Sequence, residues 1–474
     1  MEKIIAGWMA VGLKPYWSQF EGMKKRCEHH HEVLGESFEK EMVELLDAGI
    51  VDSEELARKT GERFAAGKVD ILFIQMLTYA SSIYIAPAVR NLSVPVVLLN
   101  VQYKKALDYE NVKSIGDWLG EGITCAGVPE ATAVLGQMGK QFSVITGHME
   151  EDSQVAQEIA QWCRAVSVKK TLAGRNLGLL GRPYEGMIDL CVNENRIFEQ
   201  FGTFVQHLDW REIIASGQEA REAALQKQRQ LTGQIFELDG SVSEEDLEYI
   251  ARTAAGLEKM AEKYRLHSYA LHYEFDAPED QLNLVAALNP AMTLLMTEGM
   301  SNAPEGDIRA AIAMVILKAF AGPAMTAELY SMDFCEDVCL VGHSGACDGN
   351  LSKEKAVLKM SVLHGKAGKG YVTQFFPEPG PVTMLALTET KEGGFKLVAA
   401  EGMGVPGPVL KLGDTNMRVK FPMGLKAFME SWCMEGPTHH GVLARGHHAG
   451  ALCKVAKVLG TELVIVSSME KKTV

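Results

Sequence analysis

The sequence predicts an α/β protein: two doubly wound, Rossmann-like α/β domains followed by a mostly antiparallel, barrel-like β domain. Three observations carry this. In the first third, the apolar runs KIIAGWMAVG, VDILFIQM, VPVVLLNV and FSVITG are separated by helical stretches, the alternation of a parallel sheet buried on both faces. After SVKKTLAGRN the alternation restarts at NLGLLGRPYEGM. From about Pro323 the texture becomes AVLKMSVLHG, YVTQFF, VTMLALTET, FKLVAAEGMG and NMRVKF, short strands punctuated by Gly, Pro and Lys, as in antiparallel sheets and barrels. The expected domains are 1–167, 168–322 and 323–474, in keeping with ~150 residues per domain.

Taken in order, the first strand leads into a predicted helix from about Ser18 to Lys40 that carries His29, His30 and His31 between Glu28 and Glu32. Charged flanks of this kind predict a solvated helix face. The glycines of GRNLGLLGRP match neither a dinucleotide nor a P-loop spacing and read as turn residues. RIFEQFGTFVQHLD and a long helical run, SEEDLEYIARTAAGLEKMAEKYRLHSYAL, follow. SNAPEGDIRAAIAMVILKAFAGP reads as a helix with Pro304 at its first position, an apolar face of Ile308, Ile312, Val315 and Ala319, and a stop at Gly322-Pro323.

Composition bounds the function. Apolar residues make up 47% and charged residues 23% of the chain, with no apolar run long enough to span a bilayer and no export-signal pattern at the start. A net charge of −14 argues against nucleic-acid or anionic-membrane partners. The expectation is a cytoplasmic protein acting on a small molecule. Nine scattered cysteines read as reduced thiols. Cys335, Cys339, His343 and Cys347 recur at intervals of four, but the glycines of DVCLVGHSGACDGN break the helix that would align them for zinc.

The histidines of GPTHHGVLARGHH raise a sharper question, because neutral imidazole is a common metal ligand. His439 and His440 are either part of a metal site or of a polar turn, whereas His447 and His448 fit a helix start at the surface. Glu305 and Asp307 fall in the predicted first turn of their helix, where the dipole favours ionised carboxylates. They either satisfy that dipole or bind a cation.

PEGDIRAA, AELYSMDF, LVGHSGACD and PTHHGVL, in this order and spacing, resemble the metal-ligand blocks of the L-arabinose isomerase family, within the wider L-fucose/L-arabinose isomerase group. QFSVITGHMEED and LLNVQY resemble stretches of the family's first domain. The resemblance implies that Glu305, Glu328, His343 and His440 bind the metal, and that Glu305 and Glu328 also carry the proton. It further implies that His439 and Gln102 contact the substrate and that the protein is a homohexamer or tetramer with sites shared between subunits.

Two carboxylates and two imidazoles suit octahedral Mn²⁺, with Mg²⁺ or Co²⁺ as alternatives, and leave room for two oxygens of an open-chain sugar. The cation would polarise the sugar carbonyl while a carboxylate moves a proton between C1 and C2. Where the family has a substrate-contacting glutamine, this chain has Lys14, followed by Tyr16 and Trp17. That change points to an acidic or phosphorylated sugar. The segment with Asp414, Asn416 and Arg418 either faces the pocket or forms a polar turn. Two rivals remain: another divalent-metal sugar enzyme, an epimerase or lyase, and a non-catalytic sugar-binding protein.

Overall fold

Apolar runs that no polar residue interrupts become central strands, and both parallel sheets of the computed structural model are built from them. The structure describes residues 1–120, 125–151, 153–272, 278–362, 369–466 and 472–473, in two units, Met1–Lys170 and Thr171–Val474. The Asp152 of QFSVITGHMEED and the end of AVLKMSVLHG beyond Val362 lie outside the described residues.

The first unit is a five-stranded parallel sheet of β1 (Ile4–Val11), β2 (Val43–Val51), β3 (Ile71–Met76), β4 (Val96–Gln102) and β5 (Phe142–His148), in the order β2-β1-β3-β4-β5. Ile71, Leu72, Phe73 and Ile74 are wholly buried, which explains why β3 shows no polar alternation. Helix Glu54–Ala66 starts where the Ser53 side chain accepts a hydrogen bond from the Leu56 amide at 3.3 Å, with Glu54 and Glu55 in its first turn. It buries Phe64 against the sheet.

Several expectations need correction here. The single helix over Ser18–Lys40 is two, Lys14–Gln19 and Met23–Gly35, broken at Gly22, whose φ of 72° is left-handed. VELLDAGIV, placed within the helical stretches, is β2. FSVITG is an edge strand in which only Ile145 is buried. The histidine triplet is not a solvated face: His29 is exposed, but His30 and His31 are buried. His31 stacks on Trp8 with ring centres 4.5 Å apart, its Nδ1 lies 3.0 Å from Gln75 Oε1 and its Nε2 2.9 Å from Asp47 Oδ1. His30 stacks on Tyr103 at 4.0 Å. Flanking charges mark the exposed arc of a helix, and at 3.6 residues per turn neighbours on the other arc still face the core.

The second unit begins with a four-stranded parallel sheet of β6 (Asn176–Leu180), β7 (Val205–Leu208), β9 (Leu266–Leu271) and β10 (Ser301–Pro304), in the order β10-β9-β6-β7. Its long helix, Glu244–Tyr264, opens with a reciprocal cap between Ser243 and Asp246. The helical run ends there, since RLHSYAL is β9 rather than helix. The short strand β8 (Phe236–Leu238) lies outside this sheet.

The antiparallel barrel follows. Its strands are β11 (Ala324–Asp333), β12 (Val338–His343), β15 (Gly380–Glu389), β16 (Phe395–Gly404), β17 (Thr415–Lys420) and β18 (Gly441–Arg445). Pairing runs β15-β18-β11-β12-β17-β16 and returns to β15 through the ladder Gly380↔Gly404 to Glu389↔Phe395. This closure leaves the ring without a free edge. β13 (Ala356–Val362) and β14 (Lys369–Gln374), also expected in the C-terminal β layer, form a separate small sheet with β8. β19 (Glu462–Ile465) adds to β16 in parallel. Among the described residues, no helix is long and apolar enough to cross a membrane.

Candidate metal centre and active site

The barrel register gathers the first residues of the site. Glu328 on β11 faces Gly342, one position before His343 at the end of β12. On its other side β11 pairs with β18, with Ala327 opposite Gly441, so the next step of that ladder sets Glu328 beside His439 and His440. Three adjacent strands thus bring a carboxylate and three imidazoles to one rim.

Glu305 arrives from the parallel sheet. It is the first residue after β10, at the carboxyl end of the strand, where ligands of open α/β sheets bind. The expected helical placement of Pro304 and Glu305 is wrong: Pro304 ends β10, and the helix spans Ile308–Ala321 with Asp307 as its N-cap. Glu305 and Gly306 are consecutive left-handed residues, φ 58° and 72°. A non-glycine residue held there is the kind of local strain that collects at functional sites. Gly306 allows the turn, because a Cβ on it would lie 2.7 Å from the Arg182 carbonyl oxygen.

The four expected ligands converge. Ligand atoms of Glu305, His343 and His440 lie within 4.8 Å of one another, as do those of Glu328, His439 and His440. His440 Nε2 is 3.6 Å from Glu305 Oε2, and His343 Nε2 is 4.0 Å from Glu328 Oε2. These gaps are too long for hydrogen bonds. His440 is completely buried, its Nδ1 lies 3.1 Å from Asp307 Oδ2, and its Nε2 has no hydrogen-bond partner among the described residues. A buried polar atom without a partner is costly. A divalent cation beside Nε2 would satisfy it, and the carboxylate on the far nitrogen is the outer partner that metal-binding histidines commonly keep. The donor set therefore fits a divalent ion.

Asp307 has two tasks. Its Oδ1 accepts the Ala310 amide at 2.9 Å, capping the helix, while Oδ2 meets His440.

His439 is held differently. Asp189, in the short 3₁₀ turn Ile188–Leu190, lies 2.7 Å from its Nδ1 and 3.2 Å from its backbone nitrogen. Nε2 of His439 faces Glu305 at 3.7 Å and Glu328 at 3.9 Å. Burial alone would lower the pKa of His439, but the carboxylates of Glu305, Asp189 and Glu328 outweigh it and raise the value to about 9. Burial, the nearby Asp414, Glu328 and Glu305, and a long contact of 3.5 Å to Asp414 push the Tyr330 hydroxyl upward, so it stays protonated.

Lys14 and Gln102 lie in the first unit. Lys14 is exposed and opens the short helix after β1, while Gln102 ends β4 and donates to the Lys105 carbonyl at 3.3 Å. Asn416 donates to the Leu410 and Asp414 carbonyls, and Arg418 to Glu336 and the Pro406 carbonyl. These two therefore organise a polar turn. His448 stands at the N-cap position of helix Ala449–Leu459 without a side-chain capping bond, its Nε2 lying 2.8 Å from the Arg445 carbonyl oxygen, with His447 exposed beside it. Cys335 lies exposed in the β11–β12 turn while Cys339 and Cys347 are buried, and no cysteine joins a ligand cluster among the described residues. Sequence reasoning missed Asp189 and Tyr330. Tyr330 follows Glu328 by two positions and could have been noticed, whereas Asp189 carries no local signal.

The chain is similar to several known proteins. The model of the L-arabinose isomerase N-terminal domain matches residues 19–173. An L-arabinose isomerase of Nocardioides sp. is 25% identical over 391 residues, 79% of this chain and 76% of that protein. The chain thus resembles L-arabinose isomerases in its first unit and, at low identity, over most of its length. It is also 22% identical to the L-arabinose isomerase of Shouchella clausii, over 97% of this chain and 94% of that one. It is 20% identical to a sulfoquinovose isomerase of Alkalicoccus urumqiensis, over 84% and 86% of the two chains. Among solved structures, the XylFII molecule aligns with a TM-score of 0.12 at 13% identity over 64% of this chain and 97% of that one, which carries no argument.

Proposed function

We propose that this chain is an L-arabinose isomerase-like aldose–ketose sugar isomerase that depends on a divalent cation, Mn²⁺ first, with Mg²⁺ or Co²⁺ as alternatives. One observation carries the reading: Glu305 and His343, and likewise Glu328, converge on His440 although 135 positions separate Glu305 from His440, and the buried Nε2 of His440 has no hydrogen-bond partner among the described residues. Isomerase names among the relatives support it.

Glu305, Glu328, His343 and His440 would hold the ion, which would supply Lewis acidity at the sugar carbonyl. Glu305 and Glu328 flank His439 Nε2. A sugar seated there meets carboxylates on both sides, and one of them takes the C2 proton of the aldose and returns it at C1. Such acid–base catalysis contributes roughly 10²–10⁴-fold. His439 contacts a sugar oxygen. Incubation with Mn²⁺ and a panel of aldoses and ketoses in D₂O tests the reading. Interconversion between C1 and C2, with deuterium at C2 of the aldose formed, is expected. C4 inversion or retro-aldol fragments would replace the isomerase with an epimerase or a lyase.

A second reading concerns the sugar. Lys14 is exposed at the carboxyl end of β1, and one relative is named for sulfoquinovose, a sulfonated sugar. Both favour an anionic substrate. Lys14→Gln is expected to shift preference toward neutral sugars, and an unchanged ratio of kcat/KM values would remove the idea.

A further inference from the structure

We infer that Asp189 is the positioning residue for His439, fixing that imidazole so that its Nε2 faces the sugar rather than serving as a further metal ligand. The inference rests on the isomerase reading and adds a residue to it.

The geometry starts from one carboxylate oxygen. Asp189 Oδ2 takes both the ring Nδ1 of His439, at 2.7 Å, and its backbone N–H, at 3.2 Å. Two donors of one residue gripped by one acceptor fix the side chain relative to its own backbone, because rotation of the ring would break the shorter contact. Asp189 also stays ionised. Burial works against this, but the hydrogen bonds from the His439 side chain and backbone hold its pKa below the usual carboxylate range. An ionised carboxylate only accepts, so Nδ1 carries a hydrogen and Nε2 is the nitrogen presented to the site.

The two neighbouring histidines are treated in opposite ways. His440 is completely buried and its Asp307 partner is equally buried, so its Nε2 sees only the ligand cluster. His439 keeps 32% of its side-chain exposure and Asp189 keeps 44%, which leaves this pair within reach of a small molecule from solvent. Nε2 of His439 has no hydrogen-bond partner among the described residues, and it stands between Glu305 and Glu328 at 3.7 and 3.9 Å. Those distances leave Nε2 directed at the space between the two carboxylates that exchange the proton. A sugar hydroxyl placed there hydrogen-bonds with Nε2, which holds C1 and C2 within reach of both carboxylates.

The test separates positioning from metal holding. Wild type, Asp189→Ala and Asp189→Asn are titrated with Mn²⁺ by electron paramagnetic resonance, assayed for isomerisation, and titrated calorimetrically with an unreactive polyol in the presence of Mn²⁺. Asp189→Ala is expected to keep Mn²⁺ affinity within about twofold, to weaken polyol binding and to lower kcat/KM by roughly 10–100-fold. Asp189→Asn, whose amide oxygen still accepts from Nδ1, should recover part of the loss, which general destabilisation would not produce. A fall in Mn²⁺ affinity matching that of His440→Asn would overturn the inference, and so would unchanged polyol binding and kcat/KM. A wild type that binds polyol but converts no sugar would end the isomerase reading, while the polyol and Mn²⁺ titrations would still decide the role of Asp189.

Discussion

Two pairs of adjacent histidines, His30-His31 and His439-His440, share a dipeptide and meet opposite fates. In the first pair both ring nitrogens of His31 are engaged, by Gln75 and Asp47, and both rings lie flat on aromatic neighbours. In the second, one nitrogen of each ring is anchored to an aspartate while Nε2 looks toward glutamates that it does not reach. The surroundings push the pKa values apart: burial, helped by His29 and Arg26, lowers His30 to about 4, whereas carboxylates raise His439 to about 9. What separates a packing histidine from a chemical one is therefore where its second nitrogen ends up. That is a property of the fold, not of the dipeptide.

The largest effect that would break this contrast lies in the second pair. Glu305→Gln or His440→Asn should lower kcat by roughly 10²–10⁴-fold and weaken Mn²⁺ binding. His31→Asn should leave kcat per folded molecule unchanged; activity lost through His31 at full stability would erase the distinction. Next comes the anchor of His440. Asp307→Asn keeps a good helix cap and should cost roughly 10–100-fold in Mn²⁺ affinity, whereas Asp307→Ala should add about 1 kcal/mol of lost stability in a denaturant melt. Equal melting of the two variants would show that the cap contributes nothing.

His31→Asn, in turn, should lower stability by about 1–3 kcal/mol through the buried groups it leaves behind, read from the urea midpoint.

The smallest effect sharpens the contrast by pH. His30 and the buried His267 have folded-state values lowered from 6.5 to about 4 and about 3, so the folded chain refuses protons that the unfolded chain accepts. Their neutral forms contribute stability that is whole above pH 6.5 and is lost progressively as pH falls toward 4. Thermal melts should show Tm declining through that interval, with a shallower slope in His267→Gln. A flat profile would contradict the burial argument.

Much of this was legible in the sequence, for identifiable reasons. β1, β3 and β4 are buried on both faces, so their composition alone announces them. Glu305, Glu328, His343 and His440 could be named because each sits in a short distinctive block. What failed was local phrasing that the tertiary structure overrode. Pro304 suits a helix start equally well, yet pairing of Ala303 with Ala270 and of Pro304 with Leu271 makes it the last residue of a strand. The glutamates beside the histidine triplet report one arc of the helix only. Asp189 stood beyond reach, since it meets His439 across 250 positions and neither residue's neighbours mention the other.

One carboxylate, that of Asp307, both starts the helix Ile308–Ala321 and steadies the ring of His440. Occupancy of the centre and resistance to melting thus draw on the same side chain. An ion present at a hundred times its dissociation constant would add about 2.7 kcal/mol to the folded state. Starvation for the metal would therefore cost abundance as well as turnover, because the emptied protein is both idle and easier to unfold and clear by proteolysis.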